Sequence, residues 1–195
     1  MKNPTPLLLE TVRIEGGKAH NLSYHQSRFD KSRYALFGDT TPIDLASHIK
    51  APPAGLYRCR ILYAKRIQHI EYLPYTPKPL HRLKILSSLV DYPYKYANRE
   101  ALDTLLLENS DADEIIIEKE GFLTDTTIAN IAFFDGEGWI TPQQPLLEGT
   151  MRAKFIDKGL LRTAHITKKD IQNYTHVALM NAMIGFKILN NITIK

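Results

Sequence analysis

The chain has 195 residues, of which 44% are hydrophobic and 24% charged, as in a globular protein long enough to bury a substantial core. The net charge of +4 is mild, and no lysine–arginine block, zinc-finger spacing or aromatic RNA-binding motif is present, so we expect no nucleic-acid partner. The single cysteine, Cys59, excludes an internal disulfide, and no apolar run reaches the length of a membrane span. We therefore expect a cytoplasmic protein with no membrane partner. The seven scattered histidines have no ligand spacing, so we also expect no metal site.

The N-terminal part predicts a hairpin followed by a helix. Two short strands in "LLLETVRIEGGKAHNL" meet at the glycine pair 16–17. The next segment, "SYHQSRFDKSRYALFG", has apolar residues at helical spacing. Ser23 and Gln26 have the spacing of a capping box, and Gly38 can end the helix. A shorter helix is predicted over residues 43–49.

The segment "GLYRCRILYAKRIQHIEYLPY" alternates apolar and polar residues and predicts two strands that turn near Lys65. A further strand follows in "HRLKILSS". We therefore predict a small α/β domain built on an antiparallel sheet over residues 1–87, a linker over 88–92 and a larger domain over 93–195.

The larger domain begins with a predicted helix over residues 98–108. Two hairpins follow, in "ADEIIIEKEGFLTD" and "IANIAFFDGEGWITP", each with a glycine at its turn. The segment "EGTMRAKFIDKGLL" predicts a helix, and "HVALMNAMIGFKILN" predicts a strand, a turn and a strand. The fold class expected from these elements is α/β, or α+β.

Two side chains stand out for their chemistry. Lys95 lies in "DYPYKYANREALD" among three tyrosines, where partial desolvation would lower the pKa of its amine and make it a better nucleophile or base. Asp125 lies in "GFLTDTTIAN", between two strands, where a fixed carboxylate could face a cationic ring nitrogen. The alternatives are a solvated loop lysine and a turn aspartate that caps its own backbone.

A possible anion site lies in "LLEGTMR". Gly149 allows close approach of a ligand, and the N–H groups of Thr150 and Met151 would point out of a helix start. Arg28, on a helix face with His25, could add positive charge. An ordinary capped helix and a solvated arginine remain the alternatives.

Taken in order, these features resemble the class IV aminotransferase family, the fold-type-IV enzymes that use pyridoxal phosphate (PLP). The resemblance rests on "KYANREAL", "GFLTDTTIANIAFF", "LLEGTMR" and "ALMNAM", and it runs over almost the whole chain. The last two segments look most like the 4-amino-4-deoxychorismate lyase branch. The resemblance implies a small antiparallel-sheet domain, a larger barrel-like domain, as in D-amino-acid aminotransferase, and a homodimer.

The resemblance also implies the roles of particular residues. Lys95 would hold PLP as a Schiff base and then act as the mobile acid and base. Asp125, where the family usually has glutamate, would pair with the ring nitrogen. Arg28 would bind the phosphate together with backbone groups at four further positions, which are Thr150, Met151, Asn181 and Ala182.

The sequence departs from the family pattern in two places. The family segment before the "ET" strand has no counterpart here, and Leu7 begins where that segment would end. The arginine–glycine hairpin of the small domain is replaced by Ala64-Lys65-Arg66. Positive charge toward a carboxylate substrate could come instead from the basic residues of this region, Arg58, Arg60, Lys65 and Arg66, or these could form a solvated face.

Three functions are compatible with these residues. The first is a lyase that releases pyruvate from aminodeoxychorismate and leaves 4-aminobenzoate, a step in folate biosynthesis. The second is a branched-chain or D-amino-acid type aminotransferase, which would use the same Lys95. The third is a PLP-binding protein with little activity because of its short N-terminus. The substrate in the first two cases is a small molecule with amine and carboxylate groups.

Overall fold

A computed structural model describes residues 5–195 and divides them into two compact units. The first unit contains the described residues up to Pro77 together with Tyr94–Asn98. The second contains Lys78–Pro93 and Arg99–Lys195. In the described part of the chain, no helix has both the length and the apolar character needed to cross a membrane.

The first unit is an antiparallel sheet with two helices. Its elements are β1 (Leu8–Glu15), β2 (Lys18–Ala19), α1 (Leu22–Phe37), α2 (Leu45–His48), β3 (Leu56–Tyr63) and β4 (Ile67–Pro74). The strand order is β2-β1-β3-β4, which confirms the predicted antiparallel sheet. Alternate residues of β1 and β3 form the core with one face of the helices, namely Leu8, Val12, Ile14, Cys59, Ile61, Tyr63, Phe29 and Leu45.

Helix α1 ends as predicted and begins differently. Gly38 adopts a left-handed conformation, with φ of 61°, and its N–H reaches the carbonyl oxygens of Arg33 and Tyr34. No side chain caps the start of α1, so the capping box predicted at Ser23 and Gln26 is wrong. The Gln26 side chain instead hydrogen-bonds the backbone at residues 43 and 45, because it lies inside the helix on the face toward that loop.

Residues 94–98, which lie later in the chain than the first unit's sheet, pair with β1. The N–H of Leu9 donates to the carbonyl of Lys95, and the N–H of Ala97 donates to the carbonyl of Leu7, each over 2.8 Å. Leu8 and Tyr96 form an isolated antiparallel bridge. These backbone bonds fix Lys95 beside the start of β1.

The second unit contains a mixed nine-stranded sheet. Its strands are β5 (Arg82–Ser87), β6 (Glu114–Lys119), β7 (Phe122–Thr126), β8 (Asn130–Phe134), β9 (Trp139–Pro142), β10 (Arg162–Ala164), β11 (His176–Asn181), β12 (Gly185–Leu189) and β13 (Thr193–Ile194). Its helices are α3 (Glu100–Leu107), α4 (Thr150–Asp157) and a 3-10 helix, Lys168–Asn173. Strand β8 pairs with β7 and β9 as well as with β11, so it lies at the centre of the sheet.

The two units divide the chain at different positions from the predicted domains. The composition shift after residue 87 marks the end of β5, but β5 pairs in parallel with β6 and therefore belongs to the second unit. Residues 94–98 belong to the first unit because of their bonds to β1. Long-range strand pairing, which local composition does not encode, decides both assignments.

The end of α1 provides a test of the first unit. We expect Gly38→Ala to lower the free energy of unfolding by about 1 kcal/mol, because a side chain is strained at positive φ. Urea denaturation followed by circular dichroism measures the change. Gly138→Ala is the control, since its added methyl would meet only ordinary contacts with the Arg162 side chain. Equal, negligible effects in both variants would contradict this account of the helix end.

Candidate functional site

The first unit buries a carboxylate together with two cationic or titratable side chains from α1. Glu10 of β1 is fully buried and accepts from Arg28, over 2.8 Å between Nε and Oε1 and 2.7 Å between Nη2 and Oε2. His25, also fully buried, places Nδ1 2.6 Å from Oε2 of Glu10. The bidentate geometry holds the Arg28 guanidinium in one orientation.

The surroundings of this cluster set its charges. Burial opposes ionisation of Glu10, but the charge and hydrogen bonds of Arg28 and the hydrogen bond with His25 lower the pKa of Glu10 to about 2. Burial lowers the pKa of His25 below its ordinary value, although Glu10 acts in the opposite direction. At pH 7, Glu10 is therefore a carboxylate and His25 is neutral, so that its Nδ1–H donates to Glu10.

Lys95 lies in the same unit as this cluster. Its positive charge contributes to the lowered pKa of His25, so its amine acts electrostatically on the group that contains Glu10 and Arg28. Lys95 is partly buried, and the rings of Tyr94 and Tyr96 on either side of it form an edge-to-face pair with centroids 6.0 Å apart. Two of the predicted site residues, Lys95 and Arg28, are thus brought into one unit.

The second unit buries the other predicted carboxylate. Asp125 of β7 is 3% exposed. Its Oδ1 accepts from Nδ2 of Asn130 over 2.6 Å, and its Oδ2 accepts from the backbone N–H of Leu147 over 2.8 Å. The predicted alternative, a turn aspartate that caps its own backbone, is therefore wrong, because the groups that donate to Asp125 are the Asn130 side chain on the next strand and the N–H of Leu147 in a later loop.

The protonation of Asp125 is finely balanced. Burial raises the pKa of Asp125 to about 7, even though the donors at Leu147 and Asn130 and the charge of Arg152 all favour the carboxylate. Arg152, 7% exposed, is itself held by the carbonyl of Pro142 through Nη2 over 3.0 Å. A cationic partner placed against Asp125 would therefore find a group that is ready to ionise at neutral pH.

The predicted anion site lies at the start of α4. Gly149 precedes the helix, and Thr150 and Met151 are its first two residues. The first backbone bond within the helix comes from Ala153 to Gly149, so the earlier N–H groups have no acceptor inside the helix. Thr150 is buried and Met151 is 9% exposed.

The predicted turn at Asn181 and Ala182 is also present. The Oδ1 atom of Asn181 accepts from the backbone N–H groups of Met183 and Ile184, over 2.9 and 3.0 Å. These bonds close the turn between β11 and β12. Asp125, the start of α4 and this turn all lie in the second unit, whereas Lys95 and Arg28 lie in the first.

The basic residues of the β3–β4 hairpin have separate roles. Arg60 forms a salt bridge with Glu71 on the neighbouring strand. The carbonyl of Lys65 accepts from the buried Arg33 over 2.9 Å. Arg58 is paired in register with Arg13 on the sheet face opposite to the core. A role for these residues toward a carboxylate substrate stays a prediction.

Four residues of these clusters were missed from the sequence, namely Glu10, His25, Asn130 and Arg152. A signal existed for the first two. Glu10 falls on the inward face of β1 in the alternation with Leu8 and Val12, where a carboxylate requires a buried cation, and His25 and Arg28 share one face of α1. Asn130 and Arg152 lie within the quoted family segments, but the sequence assigned them no role because their hydrogen-bond partners lie in other elements.

A family model for class IV aminotransferases matches residues 7–192. The chain belongs to this family. An uncharacterised protein of Haemophilus influenzae is 35% identical over 184 residues, which cover 91% of this chain and 98% of the relative. A protein of Schizosaccharomyces pombe, provisionally named aminodeoxychorismate lyase, is 31% identical over 131 residues, which cover 60% of this chain and 54% of that protein.

Solved structures of the family share the fold. A protein of Haemophilus somnus, provisionally named 4-amino-4-deoxychorismate lyase, is 36% identical with a TM-score of 0.85, over 92% of this chain and 97% of that one. A Mesorhizobium loti protein, provisionally named an amino-acid aminotransferase, has 22% identity and a TM-score of 0.78, over 94% and 98% of the two chains. The predicted fold class and family are confirmed.

The buried Glu10 cluster gives a prediction for stability. A folded-state pKa of about 2 means that Glu10 stabilises the protein above its unfolded pKa of 4.5, and that this stabilisation is lost as the pH falls toward 2. We expect Glu10→Gln to lower the free energy of unfolding by about 3–5 kcal/mol at pH 7, because Arg28 loses its buried counter-charge. The deficit should shrink between pH 4.5 and pH 2.

Urea denaturation over this pH range measures the effect. Glu71→Gln is the matched control, because Glu71 forms a salt bridge with Arg60 in the same unit but its side chain is 30% exposed. We expect the control to cost less than about 1 kcal/mol. A Glu10→Gln deficit that stays constant with pH, or that equals the control, would show that Glu10 is not a charged partner of Arg28.

Proposed function

We propose that this protein is a PLP-dependent enzyme that acts as a 4-amino-4-deoxychorismate lyase. The observation that carries the cofactor assignment is Asp125, a buried carboxylate held by two N–H donors and close to ionisation at neutral pH. A protein gains nothing in stability from burying an unpaired carboxylate. A protonated ring nitrogen would supply the partner that such a carboxylate requires.

The groups that PLP needs are present in the chain. The first unit offers the amine of Lys95 and the guanidinium of Arg28, oriented by Glu10. The second offers the Asp125 carboxylate and the N–H groups at the start of α4. An amine, a guanidinium, a carboxylate and helix-start amides match in chemistry the aldehyde, phosphate and ring nitrogen of this cofactor.

Within this proposal each residue has one task. Lys95 would hold the cofactor covalently, and Asp125 would keep its ring nitrogen protonated. Arg28 and the backbone at Thr150, Met151, Asn181 and Ala182 would bind the phosphate. When bound, PLP supplies an electron sink for negative charge at the substrate carbon attached to nitrogen.

In the lyase reaction, the protein would transfer one proton and orient the bond that breaks. Lys95, once released from the cofactor, would take the proton from the ring carbon that carries nitrogen. Breaking the bond from the neighbouring ring carbon to the enol-ether oxygen releases enolpyruvate, which takes up a proton at its methylene carbon to become pyruvate. Loss of the ring proton and of the enolpyruvyl group makes the ring of 4-aminobenzoate aromatic. Since aromatisation favours the products, the protein mainly orients this bond and holds the base.

Similarity supports the lyase over the transaminase. The Haemophilus somnus protein is 36% identical over nearly the full length of both chains, and its provisional name is that of the lyase. The aminotransferase structures with a TM-score near 0.8 share less than a quarter of their residues with this chain, so they support only the fold. A homodimer and a cytoplasmic location stay predictions from the family resemblance.

The cofactor assignment is tested by trapping. We expect the protein incubated with PLP to absorb in the visible, and borohydride reduction to leave the cofactor on the peptide that contains Lys95, as read by mass spectrometry. Lys95→Ala should abolish both signals, because in the proposed function this amine forms the bond to the cofactor. Lys119→Ala, which removes a lysine paired with Asp91, is the control and should retain both.

The products that the loaded protein releases identify the reaction. Purified protein with PLP should release pyruvate and 4-aminobenzoate from aminodeoxychorismate, and Lys95→Ala should lose at least 1,000-fold in rate. Amino transfer from amino acids to 2-oxo acids, without pyruvate release, would replace the lyase with an aminotransferase. Protein that takes up no PLP would overturn the whole proposal.

A further inference from the structure

The side chain of Asn130 connects three parts of the second unit. Its Nδ2 atom donates both to Oδ1 of Asp125, over 2.6 Å, and to the carbonyl of Leu147, over 2.9 Å. The N–H of Leu147 in turn donates to Oδ2 of Asp125 over 2.8 Å. Asp125, Asn130 and Leu147 thus form a closed ring of hydrogen bonds, in which both Nδ2 hydrogens have an acceptor.

The fourth member of this arrangement is Gly149. A Cβ atom at this position would lie 1.9 Å from Oδ1 of Asn130, which no real side chain could tolerate. The backbone of Gly149 has φ of −72° and ψ of 145°, a conformation open to any residue. Glycine is therefore needed here for space and not for backbone freedom, because the Asn130 side chain occupies the place of a Cβ.

We propose that Asn130 is a positioning residue that fixes the orientation of the Asp125 carboxylate and ties it, through Leu147 and Gly149, to the start of α4. The inference rests on the proposed function, since it assigns the ring-nitrogen partner and the phosphate-binding amides to one rigid assembly. Asn130 acts through Asp125 and the backbone. The distance between the carboxylate and the helix start then follows from this one side chain.

The elements packed against Asp125 contribute both charged groups and neutral hydrogen-bond donors. Arg152 of α4 is the cationic group that acts on Asp125, and Glu148 in the preceding loop acts on Arg152. Asn130 on β8 and the loop N–H of Leu147 are neutral donors. Neutral donors orient a carboxylate without cancelling its charge, so Asp125 stays able to pair with a cation.

The first measurement uses the cofactor-free wild-type protein. We expect the 13Cγ resonance of Asp125 to titrate with a midpoint near pH 7. The side-chain amide of Asn130 and the backbone amide of Leu147 should titrate with the same midpoint, because both donate to the group that changes charge. Independence of either amide from the Asp125 titration would overturn the inference without any substitution.

Two different substitutions should then have the same effect. Asn130→Ala removes the donor, and Gly149→Ala leaves every donor present but forces the Asn130 side chain away. Each should raise the midpoint of Asp125 by about one pH unit, because the carboxylate loses a hydrogen bond. Asn109→Ala is the matched control, since Asn109 donates only to the carbonyl of Leu105 in the same unit, and it should leave the midpoint unchanged.

The affinity for PLP separates this inference from the proposed function. We expect Asn130→Ala and Gly149→Ala to weaken PLP binding about tenfold, measured by the quenching of protein fluorescence. Wild-type protein that binds PLP, with both variants equal to it in affinity and in the Asp125 midpoint, would overturn the positioning role and leave the proposed function standing. Wild-type protein that binds no PLP would overturn the proposed function, while the titrations would still decide how Asn130 acts on Asp125.

Discussion

The structure depends most on a carboxylate that is buried and yet kept chargeable. Asp125 has given up its contact with water, and the donors at Leu147, Asn130 and Leu146 and the charge of Arg152 replace it. Burial outweighs these favourable contributions, which is why the pKa of Asp125 rises to about 7. Strands β7 and β8 and the loop before α4 are arranged around this group, since Asp125, Asn130 and Leu147 belong to them.

The first unit also buries a carboxylate, but there a neighbouring cation lowers the pKa of the carboxylate. Glu10 is as deeply buried as Asp125, but the guanidinium of Arg28 lies against it and lowers its pKa to about 2. Its charge is therefore already satisfied, and Glu10 serves to hold Arg28 while His25 stays neutral. Glu10 is ionised in the folded protein, whereas Asp125 is close to its midpoint of ionisation at neutral pH, and only in the proposed function does Asp125 pair with the ring nitrogen of a cofactor.

Local patterns in the sequence predicted the larger elements but not β10, the 3-10 helix or β13. Period-two alternation identified β3, the glycine pair at 16–17 identified the hairpin of β1 and β2, and Gly38 identified the end of α1, because these signals depend on neighbours in the chain. The ring around Asp125 was not predictable, since Asn130 and Leu147 meet it only after β7, β8 and the following loop have folded. Gly149 shows the limit most clearly, because the contact with Asn130 that leaves no room for a side chain comes from another element.

In the proposed function, Asp125 keeps the ring nitrogen of the cofactor protonated. The 15N chemical shift of the ring nitrogen, in protein loaded with 15N-labelled PLP, reports this protonation. We expect the shift of a protonated pyridinium at pH 8 in the wild-type protein, and the shift of an unprotonated pyridine in Asp125→Asn. An unprotonated nitrogen in the wild-type protein, or the same shift in both proteins, would contradict it.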